Sequence, residues 1–162
     1  MTRSIRTAAT ALGTTAVAGV TIGLSSASAF AATSLKNFAT KQCITTLGDP
    51  LGYPVYQYPC NGSPNQTFNI VNVAGGFELQ SQSNRGCIDN YGNSTNLNAV
   101  QVTEPCIDAA NEVYHRVLFG GSGGLNAILD DVNECITSEG VAYGPVRQYG
   151  CNYNANQLWF FL

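Results

Sequence analysis

The sequence of 162 residues has little charge, little of it positive, and a single histidine. Only 10% of the residues are charged. Residues 33–162 contain five basic and ten acidic side chains, a net charge of 5 − 10 = −5. No stripe of basic residues is present, so we expect neither a nucleic-acid partner nor a site for anionic lipid.

The residues needed for catalysis are also scarce. His115 lies in the strand-like run "VYHRVL", where it is expected on a strand face rather than as a general base. The neighbouring acids Asp130 and Asp131 would point to opposite faces of an extended segment. No Gly-x-Ser-x-Gly motif or phosphate-binding loop is present. We therefore expect no enzyme activity and no cofactor.

The first 32 residues have the pattern of a secretory signal peptide. Arg3 and Arg6 precede an uncharged apolar run, Ala8–Leu24, and small residues in Ala-x-Ala order follow it. The alternative is a membrane anchor. Cleavage would leave residues 33–162 as one secreted, extracellular domain, and we expect no membrane span after cleavage because no second long apolar segment exists.

All six cysteines lie in the expected mature chain, and an even number in a secreted protein is typical of disulfides. They follow one another as Cys43 and Cys60, Cys87 and Cys106, and Cys135 and Cys151. Sequence alone allows fifteen connectivities. An internal repeat selects the one in which each copy closes its own loop, and each bond would contribute about 3 kcal/mol. No Cys-x-x-Cys pair occurs, so no metal site is expected.

The repeat is visible in three similar four-residue runs. "NQTF" begins at Asn65, "NEVY" at Asn111 and "NQLW" at Asn156, at steps of 46 and 45 residues. Each run begins five residues after the second cysteine of its copy, and each first cysteine is followed by isoleucine. Every copy contains four short β-type segments separated by Gly, Pro and Asn turn signals. The pattern predicts an all-β fold of twelve strands in a closed threefold arrangement.

These three motifs and three cysteine pairs resemble the ricin B-type lectin family, whose β-trefoil carries Gln-x-Trp repeats. The resemblance covers the whole mature chain and implies lobes at about 33–74, 75–121 and 122–162. It also implies that one aromatic from each lobe packs in a shared core: Phe68, Tyr114 and Trp159. The preceding Gln66, Glu112 and Gln157 would tie turns together, and Glu112 departs from the family glutamine by losing the amide donor.

The resemblance further implies a shallow sugar pocket on each lobe, built from an acid, an aromatic ring, a glutamine and the repeat asparagine. In lobe two these are Asp89, Gln101 and Asn111, with Tyr91 as a substitute for the ring. The family's ring position holds Thr103 or Glu104, depending on where a one-residue insertion falls. The alternative for Asp89 is a bond to the backbone of its own turn.

Lobes one and three have the opposite deficit, because each keeps the ring and lacks the acid. Lobe one offers Thr45, Tyr58 and Asn65, with Asp49 nearby. The corresponding residues of lobe three are Thr137, Tyr149 and Asn156, with Glu139 nearby. The tyrosines also fit ordinary half-exposed strand positions.

Two functions remain open from the sequence. The first is a carbohydrate-binding, lectin-like protein that recognises glycan or polysaccharide through weak, multivalent sites. The second is a trefoil that binds another secreted protein, as an inhibitor, toxin subunit or assembly adaptor, because a fold alone does not decide function.

Overall fold

The computed structural model describes residues 32–48, 51–91, 101–107, 109–119 and 124–162. All of the predicted signal peptide except residue 32 lies outside these ranges, and so does Asp49. The twelve strands are β1 Leu35–Asn37, β2 Gln42–Thr45, β3 Tyr56–Pro59, β4 Phe68–Val73, β5 Gly76–Ser81, β6 Cys87–Asn90, β7 Gln101–Glu104, β8 His115–Phe119, β9 Leu125–Leu129, β10 Glu134–Ser138, β11 Val146–Gly150 and β12 Leu158–Phe161. Short 3₁₀ turns precede β4, β8 and β12.

Six strands form a ring around the core. The pairs β4–β5, β8–β9 and β1–β12 are antiparallel. Strand β9 also pairs with β12, while single bridges join Thr33 to Phe68 and Phe77 to Tyr114. Each strand of the ring therefore contacts two others, and no edge of the ring is left open.

The other six strands form three hairpins, β2–β3, β6–β7 and β10–β11. A disulfide closes each one, with Cα–Cα distances of 5.0, 5.1 and 5.0 Å for lobes one, two and three. These distances lie within the usual range. The three pairings predicted from the repeat are confirmed, and so is the division into three units of four strands.

Turn chemistry sets the ends of the strands. In the β4–β5 hairpin a two-residue loop separates Val73 from Gly76, and Gly75 has a φ of +92°. This conformation favours glycine because a β-carbon would clash with the backbone. The period of two along β4 then places Phe68 toward the core.

The core lies where the three lobes meet. Phe68, Tyr114 and Trp159 have no exposed surface, as predicted. Around them pack aliphatic side chains from every lobe: Leu35, Ile44, Val55, Leu79, Ile88, Ile128, Ile136 and Val146. No helix in the described part of the chain has the length and apolar character needed to cross a membrane.

Two of the three repeat glutamines tie turns as predicted. Gln66 Oε1 accepts the Asn61 N–H (2.8 Å), and its Nε2 donates to Thr45 Oγ1 and to Pro59 O, both at 3.0 Å. Gln157 repeats the pattern in lobe three, with Nε2 donating to Thr137 Oγ1 (3.1 Å) and Gly150 O (3.0 Å).

Lobe two keeps only half of this arrangement. Glu112 Oε2 accepts the N–H groups of Ile107 (2.9 Å) and Ala109 (3.4 Å). A carboxylate has no proton for the two acceptors that the glutamines reach in the other lobes. Lobe two is therefore the less firmly connected lobe at this position.

Candidate functional site: three lobe clefts

Each lobe has an open cleft between its disulfide-linked hairpin and the 3₁₀ turn that follows. The volumes are about 260 Å³ in lobe one, 380 Å³ in lobe two and 460 Å³ in lobe three. The residue two positions after the first cysteine lines each cleft: Thr45, Asp89 and Thr137. The repeat asparagine also lines each one: Asn65, Asn111 and Asn156.

The lobe-two cleft brings an acid, a ring and an amide together. Asp89 is buried, Tyr91 is 63% exposed, and both line the cleft beside Asn111. The Asn111 amide donates to Asp89 Oδ2, which orients the carboxyl group. Tyr91 therefore stands where it can serve as the platform that the sequence predicted.

The electrostatics of this cleft depend on three carboxyl groups. The pKa of Asp89 is raised from 3.8 to about 7; burial is the main cause, and the charges of Glu112 and Glu104 supply the rest of the shift. Near neutral pH, Asp89 is therefore divided between a carboxylate that only accepts hydrogen bonds and a carboxylic acid that also donates one.

Strand register settles the open alignment in lobe two. Cys87 pairs with Glu104, as Cys43 pairs with Tyr58 and Cys135 with Tyr149. Glu104 therefore occupies the ring position, and Thr103 is buried beside it. The lobe-two cleft has gained a third carboxyl group where the other lobes have tyrosine.

The prediction that Gln101 contacts sugar is wrong. Its side chain has no exposed surface, and it does not line the lobe-two cleft. Its Oε1 accepts the Tyr114 hydroxyl (2.7 Å), and its Nε2 donates to Asn90 Oδ1. Asn90 in turn donates to Asp130 Oδ2 (2.9 Å), so Gln101 belongs to a buried polar chain.

In lobe three, the threonine that replaces the acid faces inward. Thr137 donates its hydroxyl to Cys135 O (2.8 Å) and accepts from Gln157, so it has no proton left for a ligand. Glu139 supplies the carboxylate instead, since it lines the cleft together with Tyr149. The Arg147 side chain donates to Glu139, and this ion pair holds the carboxylate at the rim.

The lobe-one cleft is the smallest of the three. Thr45 donates to Cys43 O (3.0 Å), as its counterpart does in lobe three. Tyr58 and Leu47, which is 48% exposed, form the apolar part. The Asn65 amide donates to Thr46 O (3.2 Å). Among the described residues, no carboxyl group lines this cleft.

The three clefts differ at one shared position, at which the sequence analysis named Tyr91 and Glu139 but not Leu47. The fourth residue after the first cysteine lines every cleft, and it is Leu47 in lobe one, Tyr91 in lobe two and Glu139 in lobe three. Counting from the cysteine would have found all three. The same backbone position thus offers an aliphatic, an aromatic or an acidic group.

The remaining chemical candidates lie outside the clefts. Asp130 is buried and accepts the N–H groups of Val132 (3.1 Å) and Glu134 (2.8 Å), so its carboxylate has a structural role. His115 is exposed on β8. Glu78 lies close to Cys87 and Cys106, but these sulfurs form a disulfide and are not thiolate ligands.

Comparison with known proteins agrees with this architecture. The model of a family described as ricin-type β-trefoil lectin domain-like matches residues 25–103. No curated protein matches the sequence. A designed threefold symmetric protein, ThreeFoil, is 19% identical with a TM-score of 0.76, and the alignment covers 81% of this chain and 97% of that one.

Two natural proteins have similar structures. An exo-β-1,3-galactanase from Clostridium thermocellum is 19% identical with a TM-score of 0.75, over 81% of this chain but only 30% of that one. A ricin B-like lectin from Macrolepiota procera, solved in complex with lactose, is 16% identical with a TM-score of 0.66, over 80% and 93%. These likenesses show the fold, which is a β-trefoil. The matching family model confirms the resemblance to the ricin B-type family.

Proposed function

We propose that this protein, a ricin-type, lectin-like β-trefoil with three unequal clefts, is a secreted carbohydrate-binding protein. It recognises glycan or polysaccharide through several weak sites and catalyses no reaction. One observation carries the proposal: Asp89, Tyr91 and Asn111 converge in the lobe-two cleft. A pyranose has one apolar face and a rim of hydroxyl groups, so its site needs a ring and a few aimed polar groups.

The clefts favour weak binding at each site. They are open and shallow, and a millimolar dissociation constant corresponds to only about −4 kcal/mol. Three sites held at fixed geometry raise the avidity for a repetitive surface by orders of magnitude without new contacts. We therefore expect stronger retention on insoluble polysaccharide than the affinity for a soluble monosaccharide would suggest.

Extracellular localisation is part of the same proposal. The three disulfides fit an oxidising compartment, and the N-terminal segment has the signal-peptide pattern. N-terminal sequencing of protein recovered from the culture medium should begin near residue 33. Recovery of the full-length chain only inside cells would contradict this expectation.

The test of carbohydrate binding is a pull-down on insoluble polysaccharides and a glycan array with the wild-type domain. The variants are Asp89→Asn, Tyr58→Ala and Tyr149→Ala, one for each cleft. Asp131→Asn is the matched control, because Asp131 is an exposed carboxylate outside the clefts. Loss in Asp89→Asn alone indicates one site, and graded loss in all three indicates multivalence. No retention of the wild type by any glycan refutes the proposal.

A second function has one specific observation in its favour. The first four residues of β8, His115 to Leu118, are all exposed, and Leu118 is 70% exposed. Two of these four, Val117 and Leu118, are apolar, and neighbouring exposed apolar side chains suit a surface that binds another secreted protein. If this is the function, Leu118→Asp abolishes capture of that protein by the domain and leaves glycan retention unchanged. If glycan is the only ligand, the wild-type domain captures no such protein, and Leu118→Asp leaves glycan retention unchanged.

A further inference from the structure

Tyr143 adopts a backbone conformation that a residue with a side chain rarely takes. Its φ is +63°, in the left-handed region that favours glycine. Lobe one has glycine at the same place: Gly52 has a φ of +87°, and both residues lie two positions before a proline, Pro54 or Pro145. The sequence thus keeps an unfavourable tyrosine where glycine is already compatible with the fold.

The ring of Tyr143 belongs to lobe three but lies against lobe one. It packs edge to face on Tyr58, with centroids 5.1 Å apart and ring planes inclined at 66°. Its backbone N–H donates to Gln42 Oε1 (3.3 Å), which holds the turn onto β2. The residue is still 55% exposed. Tyr143 therefore adds a second ring beside the wall of the lobe-one cleft.

The equivalent boundary between lobes one and two shows that the fold does not require this ring. There Gly52 lies beside Glu104, the counterpart of Tyr58, and a β-carbon at position 52 would be 3.7 Å from Glu104 Oε1. The two boundaries share their backbone contacts: Pro145 bridges to Tyr56 of β3, and Pro54 bridges to Val102 of β7. Of these two boundaries, only the one between lobes three and one carries a pair of aromatic rings.

We propose that Tyr143 is a specificity residue of the lobe-one cleft, and that its ring with that of Tyr58 selects glycan chains over single sugars. The inference rests on the carbohydrate-binding function proposed above. Tyr58 and Leu47 form the apolar part of this cleft, and stacking on the ring supplies much of its affinity. Two inclined rings offer separate apolar surfaces to neighbouring pyranose units of one chain.

The experiment isolates lobe one in a background that carries Asp89→Asn and Tyr149→Ala. Into this background Tyr143→Gly is introduced, which restores the glycine of lobe one and relieves the backbone. Calorimetry then measures binding of xylo-, cello-, chito- and galacto-oligosaccharides from the monosaccharide to the hexasaccharide. We expect Tyr143→Gly to weaken oligosaccharide binding about 3- to 10-fold, the effect of losing one stacked ring, with monosaccharide binding unchanged.

Tyr153→Gly is the matched control. Tyr153 also has a positive φ, +57°, at a position where lobe one has glycine, Gly62, but its ring packs on Phe119 at 4.7 Å. The Tyr153→Gly substitution makes the same backbone change but removes no contact with Tyr58, so binding by lobe one should not change. Thermal melts of both variants exclude unfolding as the cause of any loss.

Three results would overturn the inference while leaving carbohydrate binding intact. The first is an unchanged affinity of Tyr143→Gly for oligosaccharides. The second is stronger binding of monosaccharides by Tyr143→Gly, which would mean that Tyr143 covers the cleft. The third is no binding by the isolated lobe one when the wild type binds. If the wild type binds none of these sugars, the proposed function fails and the inference fails with it.

Discussion

Replacing Glu112 by glutamine should stabilise the protein, because it restores the arrangement of the other two lobes. Gln66 and Gln157 each donate two hydrogen bonds from Nε2, at 3.0 to 3.1 Å, to a threonine hydroxyl and a backbone carbonyl. Glu112 keeps the acceptor bonds to the chain and has no donor. In lobe two, the place of the threonine is taken by Asp89, whose carboxyl group is repelled by Glu112.

The magnitude follows from the bonds gained and lost. Two new hydrogen bonds contribute about 0.5–1.5 kcal/mol each. Replacing the charged acceptor of Glu112 by a neutral amide weakens its bond to the Ile107 N–H and costs about 1 kcal/mol. The central net gain is about 1 kcal/mol, within a range of about 0–2 kcal/mol. For a domain of this size a gain of about 1 kcal/mol corresponds to a rise of about 3–4 °C in Tm.

Thermal unfolding of Glu112→Gln and wild type from pH 5 to pH 8 is the assay. The pKa of Asp89 is raised from 3.8 to about 7 on folding, so the folded state holds a proton that the unfolded state releases. Wild-type stability therefore falls as the pH rises from about 4 through about 7. Glu112→Gln removes one cause of the raised pKa. The gain in Tm should be larger at pH 8, where Asp89 is ionised, than at pH 5.

The reverse change is the control. Gln157→Glu introduces the carboxylate of lobe two into lobe three, where Gln157 Nε2 reaches Thr137 and Gly150, and it should lower Tm by a similar amount. An unchanged or lower Tm for Glu112→Gln at pH 8 would refute the reasoning. It would mean that Glu112 has a partner in lobe two that glutamine cannot replace.

The remaining predictions concern the core, the clefts and the disulfides. Tyr114→Phe should cost about 1–3 kcal/mol in urea unfolding, because it leaves the buried Gln101 Oε1 without its donor; a cost below about 0.5 kcal/mol would show that the bond is not needed. Glycan binding by lobe two, measured by calorimetry in a Tyr58→Ala/Tyr149→Ala background, should strengthen as the pH rises from 6 to 8, since ionised Asp89 accepts more strongly; adding Asp89→Asn to that background should remove the dependence together with the binding. Removing the lobe-three disulfide in Cys135→Ser/Cys151→Ser should cost about 2–5 kcal/mol, measured by chemical unfolding. A cost near zero would contradict the chain-entropy argument.

The repeat made the fold predictable. Each copy carries its own cysteine pair, so one internal comparison predicted twelve strands and three disulfides. The resemblance to a known family implied the core positions of Phe68, Tyr114 and Trp159. These contacts form within a lobe or around the shared axis. Three copies of one pattern are therefore enough to locate them.

The candidate site was predictable only in part, and lobe two shows why. The segment from Val100 to Cys106 is one residue longer than its counterparts in the other two lobes, so the sequence left the ring position open between Thr103 and Glu104. The strand register, in which Cys87 pairs with Glu104, places Glu104 at the ring position. Gln101 matched the family glutamine in type, but the structure buries it against Tyr114. Residue type does not reveal which face of a short strand is covered.

The amino-acid sequence by itself, through its threefold repeat and its resemblance to a known family, determined the β-trefoil, its disulfides and its aromatic core, because these depend on a pattern that all three copies share. Only the tertiary structure decided which side chains share a cleft. It placed Glu139 in the lobe-three cleft, turned Thr45 and Thr137 inward, and laid Tyr143 of lobe three against Tyr58 of lobe one. The last contact joins residues 85 positions apart (143 − 58 = 85) across a boundary between copies, and the repeat within one copy carries no information about it.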